Sequence, residues 1–391
     1  MRILIAHSWN LLMSGENMVA VDEARLLEEA GHDVHTWLPR PEQVSGLGLL
    51  RTSGRAVWSR WAAAELRRIV AEQGTEVLHV HNLFPTLSPL VLRAARSEGV
   101  AVAMTLHNYR LSCLPATFLR DGKPCEQCLG HVPWRGIAHR CYRGSYPGSA
   151  VLATSLTLHR GLHSYDAVSR FAAVSSFVRE KVLESGIVRP ERIGVKPNFA
   201  WPAERRRGPG EYFLYLGRLH SEKGVDTLLE AWRRGAPGKL LVVGDGPEAA
   251  TLRAAAPAGV EFTGIVEPER VPGILRGARA VLVSSRWYEA APRSILEAYA
   301  TGVPVLSSDF GSLPELVEHE VTGLRVQLDS PAAWSQAATR LGDDAEAERL
   351  GEGAWRAWND KYSPQRGLEG LEALYGEALA MHTTSTGGKV V

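Results

Sequence analysis

The stretch Trp287-Tyr-Glu-Ala-Ala-Pro-Arg-Ser-Ile-Leu-Glu-Ala-Tyr-Ala-Thr-Gly-Val-Pro-Val305 carries two carboxylates, Glu289 and Glu297, with Pro292 between them. A proline at the first helical position gives up no helical hydrogen bond. The pattern therefore predicts a helix over Arg293–Thr301, ended by Gly302, and then a strand over Val303–Leu306. Glu289 falls on the loop before the helix N-terminus, and Glu297 about a turn and a half inside. A helix N-terminus offers N–H groups and partial positive charge to an anion. A carboxylate beside it can accept hydrogen bonds from sugar hydroxyls. The pair suits a ligand that is part polyol and part phosphate, such as a nucleotide-sugar. The alternative is a solvated helix start with two surface glutamates.

Short apolar runs alternate with amphipathic helical segments on either side of this stretch. Strand candidates are Ile3–Ala6, Val34–Leu38, Val77–Val80, Val100–Leu106 and Phe171–Val174, then Phe213–Leu216, Leu240–Val243, Val260–Phe262 and Ala280–Val283. Helical patterns fall between them, including Glu16–Ala30, Arg55–Glu72, Val225–Arg234 and Pro331–Leu341. Such alternation predicts α/β architecture, with parallel sheets covered by helices on both faces and ligands beyond the carboxyl ends of the strands. The Pro-, Gly- and Arg-rich stretch Pro197–Gly210 interrupts the rhythm and reads as a linker. The expectation is two Rossmann-like domains facing across a cleft: 1–200, with a C-terminal helix over 364–380 packed back on it, and 211–362. Residues 381–391 read as a disordered tail.

Composition narrows the classes. The chain has 391 residues, enough for two cores. Its 44 Lys and Arg against 43 Asp and Glu exclude a nucleic-acid binder that relies on bulk charge. No apolar run reaches the roughly 18 residues that span a bilayer. The first residues read as a strand and not as a signal peptide, which implies the cytoplasm and reduced thiols.

Other loops agree with an anion site. Gly217-Arg-Leu-His-Ser-Glu-Lys-Gly224 follows a strand and precedes a helix, so Arg218 and Lys223 leave one strand end together. A diphosphate needs cations there, and Arg can engage it with two parallel bonds; the alternative is two surface charges. Gly244 and Gly246 in Gly244-Asp-Gly-Pro-Glu248 either admit a ligand closely or only make a tight turn. Ser14-Gly15 opens the first helix, where the Gly15 N–H could reach a phosphate, and no GxGxxG dinucleotide fingerprint is present. His107 ends a strand, within reach of a substrate hydroxyl or held structurally, while His79 and His81 alternate on one strand face and read as structural.

Together these motifs resemble the retaining glycosyltransferases of family 4 (group 1), which have the GT-B fold, from Met1 to about Leu379. The resemblance rests on Gly217-Arg-Leu with Lys223-Gly, on Gly244-Asp-Gly-Pro-Glu, and on Glu289 to Glu297 running into Gly302-Val-Pro-Val and Gly323-Leu. It implies that Glu297 holds the ribose hydroxyls and that Glu289 contacts the donor sugar, helped by backbone groups of Ala290 and Ala291 beside Pro292. It implies that Arg218 and Lys223 bind the pyrophosphate with the Gly15 N–H assisting, and that His107 touches the sugar near the reacting centre. Two departures stand out. Ala290-Ala291-Pro292 replaces a common Gly-Phe-Gly, in a loop that faces the sugar, and Ser14-Gly15 replaces a pair of glycines. The implied activity is a hexosyltransferase reaction (EC 2.4) from a nucleotide-sugar, with UDP expected over GDP, and retention at the anomeric carbon. With no Asp-x-Asp at a strand end, no divalent cation is expected in catalysis. Cations and a helix N-terminus would stabilise the departing diphosphate. The alternatives are a GT-B phosphorylase or nucleotide-sugar epimerase and, in another class, a zinc-stabilised binding module without catalysis.

Cys113, Cys125, Cys128 and Cys141 cluster in one loop-rich stretch. The Cys125-Glu-Gln-Cys128 spacer suits a structural zinc, with His131 and His139 as spare ligands; four reduced thiols are the alternative. The acceptor is a natural product, a polysaccharide or a lipid-linked sugar. Arg51, Arg55, Arg60, Arg67 and Arg68 accompany Trp58 and Trp61 on an expected single helix. There the two indoles would share a face at an acceptor entrance or against the inner membrane surface; the alternative is tryptophans packed inward with merely solvated arginines.

Overall fold

The computed structural model describes residues 1–9, 15–41 and 47–386, with the side chains of 47–50 and 385–386 outside the described set. The chain forms two compact units: Met1–Phe118, Glu126–Pro197 and Gly367–Val391 make the first, and Leu119–Cys125 with Asn198–Arg366 the second.

The first unit is built on strands β1 (Arg2–His7), β2 (Asp33–Trp37), β3 (Val77–Asn82) and β4 (Ala101–Leu106). Past the short hairpin of β5 (Leu119–Arg120) and β6 (Lys123–Pro124), which belongs to the second unit, come β7 (Arg170–Ala173) and β8 (Ile193–Val195). The sheet order is β2-β1-β3-β4-β7-β8, all parallel. Every residue of β3 and β4 is buried, as expected for strands covered on both faces.

The second unit holds β9 (Tyr212–Leu216), β10 (Lys239–Val243), β11 (Val260–Gly264), β12 (Ala278–Val283), β13 (Val305–Ser308) and β14 (Gly323–Val326). They lie in the order β11-β10-β9-β12-β13-β14, also all parallel. Alternate side chains feed two cores. Phe213, Leu240, Val242, Ala280 and Leu282 join Leu228 and Trp232 on one face. Leu214, Leu241, Val243, Val281 and Val283 join Ile295 and Tyr299 on the other. The strand order reverses between β9 and β12, so this doubly wound sheet opens its crevice at the ends of those two strands.

Three expectations change. The helix expected over Arg55–Glu72 is two helices, Leu47–Val57 and Arg60–Gln73. The break comes at Ser59, whose hydroxyl caps the second helix by accepting from Ala62 N–H. Trp58 therefore lies outside both helices and stacks on His159 at 5.3 Å, while Trp61 is half exposed beneath the Arg55 guanidinium. The indoles do not share a helix face. Second, Pro197–Gly210 is not a solvated tether. Phe199 and Arg206 are buried, and the Arg206 guanidinium donates to the carbonyls of Pro209, Ala278, Arg279 and Ala347 at 2.8–3.1 Å. Third, the last helix, Pro364–Thr386, runs past residue 381 and keeps His382 buried; residues 387–391 lie outside the described set. Tyr375 of that helix reaches His79 Nδ1 at 2.9 Å within the first unit.

Candidate functional site

The loop after β9 carries Arg218 and Lys223. It closes in a short turn over Ser221–Lys223 that ends on Gly224 with φ +67°. A Cβ there would stand 2.2 Å from the Ser284 carbonyl oxygen, so only glycine lets this loop lie on the one after β12. Two bonds tie the loops: Ser284 Oγ donates to the Lys223 carbonyl at 2.7 Å, and Arg286 N–H to the Glu222 carbonyl at 2.8 Å. Gly244 and Gly246 play a similar part. Cβ atoms on them would sit 1.9 Å from the Gly217 oxygen and 2.3 Å from the Leu219 oxygen. Loop-on-loop packing demands glycine at both positions.

Glu289 follows β12 and is 5% exposed. Its Oε1 receives Lys223 Nζ at 2.6 Å, Ser285 Oγ at 2.5 Å and Trp287 Nε1 at 2.9 Å. Lys223 Nζ also stands 5.0 Å above the Trp287 ring, and Ser312 Oγ donates to the Glu289 carbonyl at 2.6 Å. A buried carboxylate needs such compensation, because desolvation is costly unless the charge is paired and bonded. Lys223 and Glu289 thus meet at the sheet's switch point, 66 positions apart in the chain.

The helix after Glu289 runs Arg293–Ala300, with Pro292 at its cap and not in its first turn. No side chain caps it among the described residues. Ala290, Ala291 and Pro292 are partly exposed beside its start. Glu297 lies a turn inside, and its Oε1 accepts from Arg293 Nε and Nη2 at 3.2 and 3.1 Å. Arg218 does not join Lys223. It is half exposed and pairs with Glu222 Oε1 at 3.2 Å. Sequence reasoning missed Ser285, Trp287, Ser312 and Arg293 as partners. Only the Arg293–Glu297 pair, four apart on a helix, had a readable signal.

In the first unit, Gly15 opens the helix Gly15–Glu29, and Ser14 lies outside the described residues. His107, just past β4, is 8% exposed, and its Nε2 meets His81 Nδ1 at 2.8 Å. Burial holds the His107 ring down at about 3, so it is neutral near pH 7. A cavity lined by Asn82, Phe84, Asn108, Arg110 and Leu111 opens at this histidine.

Among the described residues, none of the four cysteines forms a disulfide. Among the described residues, the one group of three metal-capable side chains within ligand reach is Glu23, His79 and His81. Cys113 is enclosed, its sulfur accepts from Phe118 N–H at 3.4 Å, and burial pushes the thiol up to about 11. Cys141 packs beside Leu114, Leu152 and Leu156.

Two family models cover most of the chain: Glycosyltransferase Family 4 matches residues 13–200 and Glycosyl transferases group 1 matches residues 210–344. A putative glycosyltransferase of Bacillus subtilis, YtcC, is 25% identical over 262 residues, covering 56% of this chain and 64% of its own length. The alpha-D-kanosaminyltransferase of Streptomyces kanamyceticus is 32% identical over 174 residues, covering 42% and 45%. The match thus spans less than two thirds of either relative. Among solved structures, Anabaena Alr3699/HepE in complex with UDP superposes with a TM-score of 0.66 at 17% identity, covering 96% of this chain and all of that one. This likeness shows the GT-B fold.

Proposed function

The chain belongs to the family 4, group 1 glycosyltransferases, and from that premise we propose that it moves a sugar from a nucleotide-sugar to an acceptor hydroxyl. The observation that carries the reading is the Lys223–Glu289 pair at the switch point of the second sheet, beside the uncapped start of the Arg293–Ala300 helix. Donor diphosphate would displace Glu289 as the partner of Lys223. The freed carboxylate is then available to the hydroxyls of the sugar. Arg218, on the same loop and half exposed beside Glu222, swings to the second phosphate. Glu297 takes the ribose hydroxyls, with the backbone of Ala290 and Ala291 against the sugar.

As the anomeric bond breaks, negative charge moves onto the diphosphate. Fixed cations and helix N–H groups stabilise that charge most where it develops, which is what lowers the barrier. The chain's own groups suffice in this reading, so catalysis needs no divalent cation. His107 accepts a hydroxyl of the sugar, and the Gly15 N–H meets the diphosphate. UDP is the expected nucleotide, since HepE, a structural neighbour, was solved with UDP. The anomeric configuration is retained. The acceptor enters by the cavity at His107, where Phe84, Leu111 and Arg110 suit a partly apolar molecule bearing an anionic or hydroxyl-rich group. No helix among the described residues is long and apolar enough to cross a membrane, and any contact with one would be peripheral.

The test is incubation with a panel of UDP- and GDP-sugars and candidate acceptors, with chelator present. Release of nucleoside diphosphate with formation of an α-linked product from an α-linked donor is expected. Inverted product, or epimerised donor without transfer, would refute the reading.

A further inference from the structure

Behind His107 lies a chain of buried polar groups. Glu23, from the helix Gly15–Glu29, is fully enclosed. Its Oε1 takes Lys196 Nζ at 2.6 Å. Its Oε2 stands 3.6 Å from His81 Nε2 and 3.7 Å from His79 Nδ1. His81 Nδ1 in turn meets His107 Nε2 at 2.8 Å, with the two rings inclined by only 9°. Glu23 Oε2 and His81 Nε2 are both enclosed without a hydrogen-bond partner. Buried polar atoms are rarely left so, and each case calls for an explanation.

A metal held by Glu23, His79 and His81 is one explanation, and the local chemistry disfavours it. Lys196 already neutralises the carboxylate. Both nitrogens of His79 are engaged by hydroxyls, Tyr375 at 2.9 Å and Thr105 at 2.8 Å. A dication there would add net charge to a fully enclosed site.

Proton placement explains the geometry better. Burial pushes both the His81 and His107 rings to the neutral form, so each carries one proton. Only one of the two nitrogens in the His81–His107 bond can hold a proton. If His81 is protonated on Nε2, its N–H faces the Glu23 carboxylate and its Nδ1 accepts. His107 must then donate from Nε2, which leaves its Nδ1 as a lone pair. The opposite arrangement points a lone pair of His81 at a carboxylate oxygen, with repulsion in a low-dielectric interior. At 3.6 Å the contact is too long for a hydrogen bond, but Lys196 sits on the other oxygen, Oε1, so the lone pairs of Oε2 still favour an N–H on the facing nitrogen.

We propose that Glu23 is a positioning residue: acting through His81, it fixes the proton of His107 on Nε2, so that His107 presents Nδ1 to the substrate as a hydrogen-bond acceptor. Only the last clause rests on the glycosyltransferase reading. An acceptor nitrogen at this place selects a ligand group that donates, a hydroxyl, over a carbonyl or ether oxygen that can only accept.

The experiment is nitrogen-15 NMR of the ligand-free protein labelled on histidine, which reads the tautomer of each ring directly. His81 and His107 are expected as Nε2–H tautomers near pH 7. In Glu23→Gln the amide N–H₂ can donate to His81 Nε2, so both rings should switch to Nδ1–H. The double variant Glu23→Gln/Lys196→Met, which leaves no unpaired ammonium, should show the same switch. The single variant should also lose about tenfold to a hundredfold in kcat/KM, the size of one misdirected bond to the substrate. Nδ1–H on His107 in the unaltered protein overturns the proposal, as do tautomers unchanged by Glu23→Gln. So does a stoichiometric metal, where the nitrogen-15 shifts show His79 and His81 ligating it. Correct tautomers with no transfer from any nucleotide-sugar would instead sink the glycosyltransferase reading and leave the proton assignment standing.

Discussion

Replacing Lys223 by Met removes the cation from Glu289 while keeping the stem of the side chain. The carboxylate side chain is 7% exposed and Lys223 21% exposed, so the contact is only partly wet. Breaking a fully buried ion pair costs about 3–5 kcal/mol, and a hydrogen bond to a charged group contributes about 1.5–3 kcal/mol. Ser285 and Trp287 still donate to the same oxygen after the substitution, which lowers the penalty. The expected cost is about 2 kcal/mol, or about 4–8 °C in the melting temperature of a unit this size. Adding Glu289→Gln should recover much of it, because a neutral amide needs no cation. The cycle of both single variants and the double variant, followed by urea denaturation without ligand, should give a coupling of about 1–2 kcal/mol. A single-variant cost under about 0.5 kcal/mol with effects additive within about 0.3 kcal/mol would refute the pairing. In turnover, Lys223→Met should lower kcat by roughly a hundredfold, the usual size for one lost transition-state donor.

Three further outcomes follow from the geometry. Gly244→Ala places a Cβ 1.9 Å from the Gly217 oxygen at φ +133°, and should destabilise the second unit by about 3 kcal/mol in denaturant titrations; near-normal stability would mean the two loops do not touch. Glu297→Ala should raise the donor KM with kcat largely kept, whereas Glu289→Ala should lower kcat; the reverse pattern would swap their roles. Acid should weaken the first unit. Burial depresses His7, His79, His81 and His107 below their unfolded values, so the unfolded chain binds more protons and stability falls as pH drops below about 6.5. Glu23, raised by burial against the pull of Lys196, works the opposite way but is one group against four. His107, held at about 3, alone implies a loss of about 2 kcal/mol between about pH 6.5 and pH 5. A flat pH profile there would show that the histidines are not enclosed.

The sequence made most of the two sheets legible because their strands are buried on both faces and read as unbroken apolar runs. Val281-Leu-Val283 and Val102-Ala-Met104 leave little choice. β8, of three residues, falls below the length at which a pattern shows, and β14 has its apolar run broken by the exposed Arg325. The Glu289–Glu297 loop and helix were readable from proline, glycine and spacing. The partners of Glu289 were not, because Lys223 and Ser312 arrive from other strand ends. Arg206 falls in the stretch that reads as a linker, yet its guanidinium is held by carbonyls from 72 and 141 residues away. The helix break at Ser59 was hidden by good helical periodicity on both sides. The cysteine spacing suggested a metal, and Cys113 lies near enough to Cys128 to feel its charge. Glu23 reads as an ordinary helical glutamate. Its burial becomes visible only when Lys196 and the two histidines of β3 fold around it.

Calorimetric titration of UDP and GDP into the unaltered protein and into Lys223→Met tests the central claim most directly. The account predicts one site per chain for a nucleoside diphosphate, with UDP preferred, that weakens at least tenfold when Lys223 is replaced. Absence of binding by either nucleotide, or equal affinity in the variant, would contradict it.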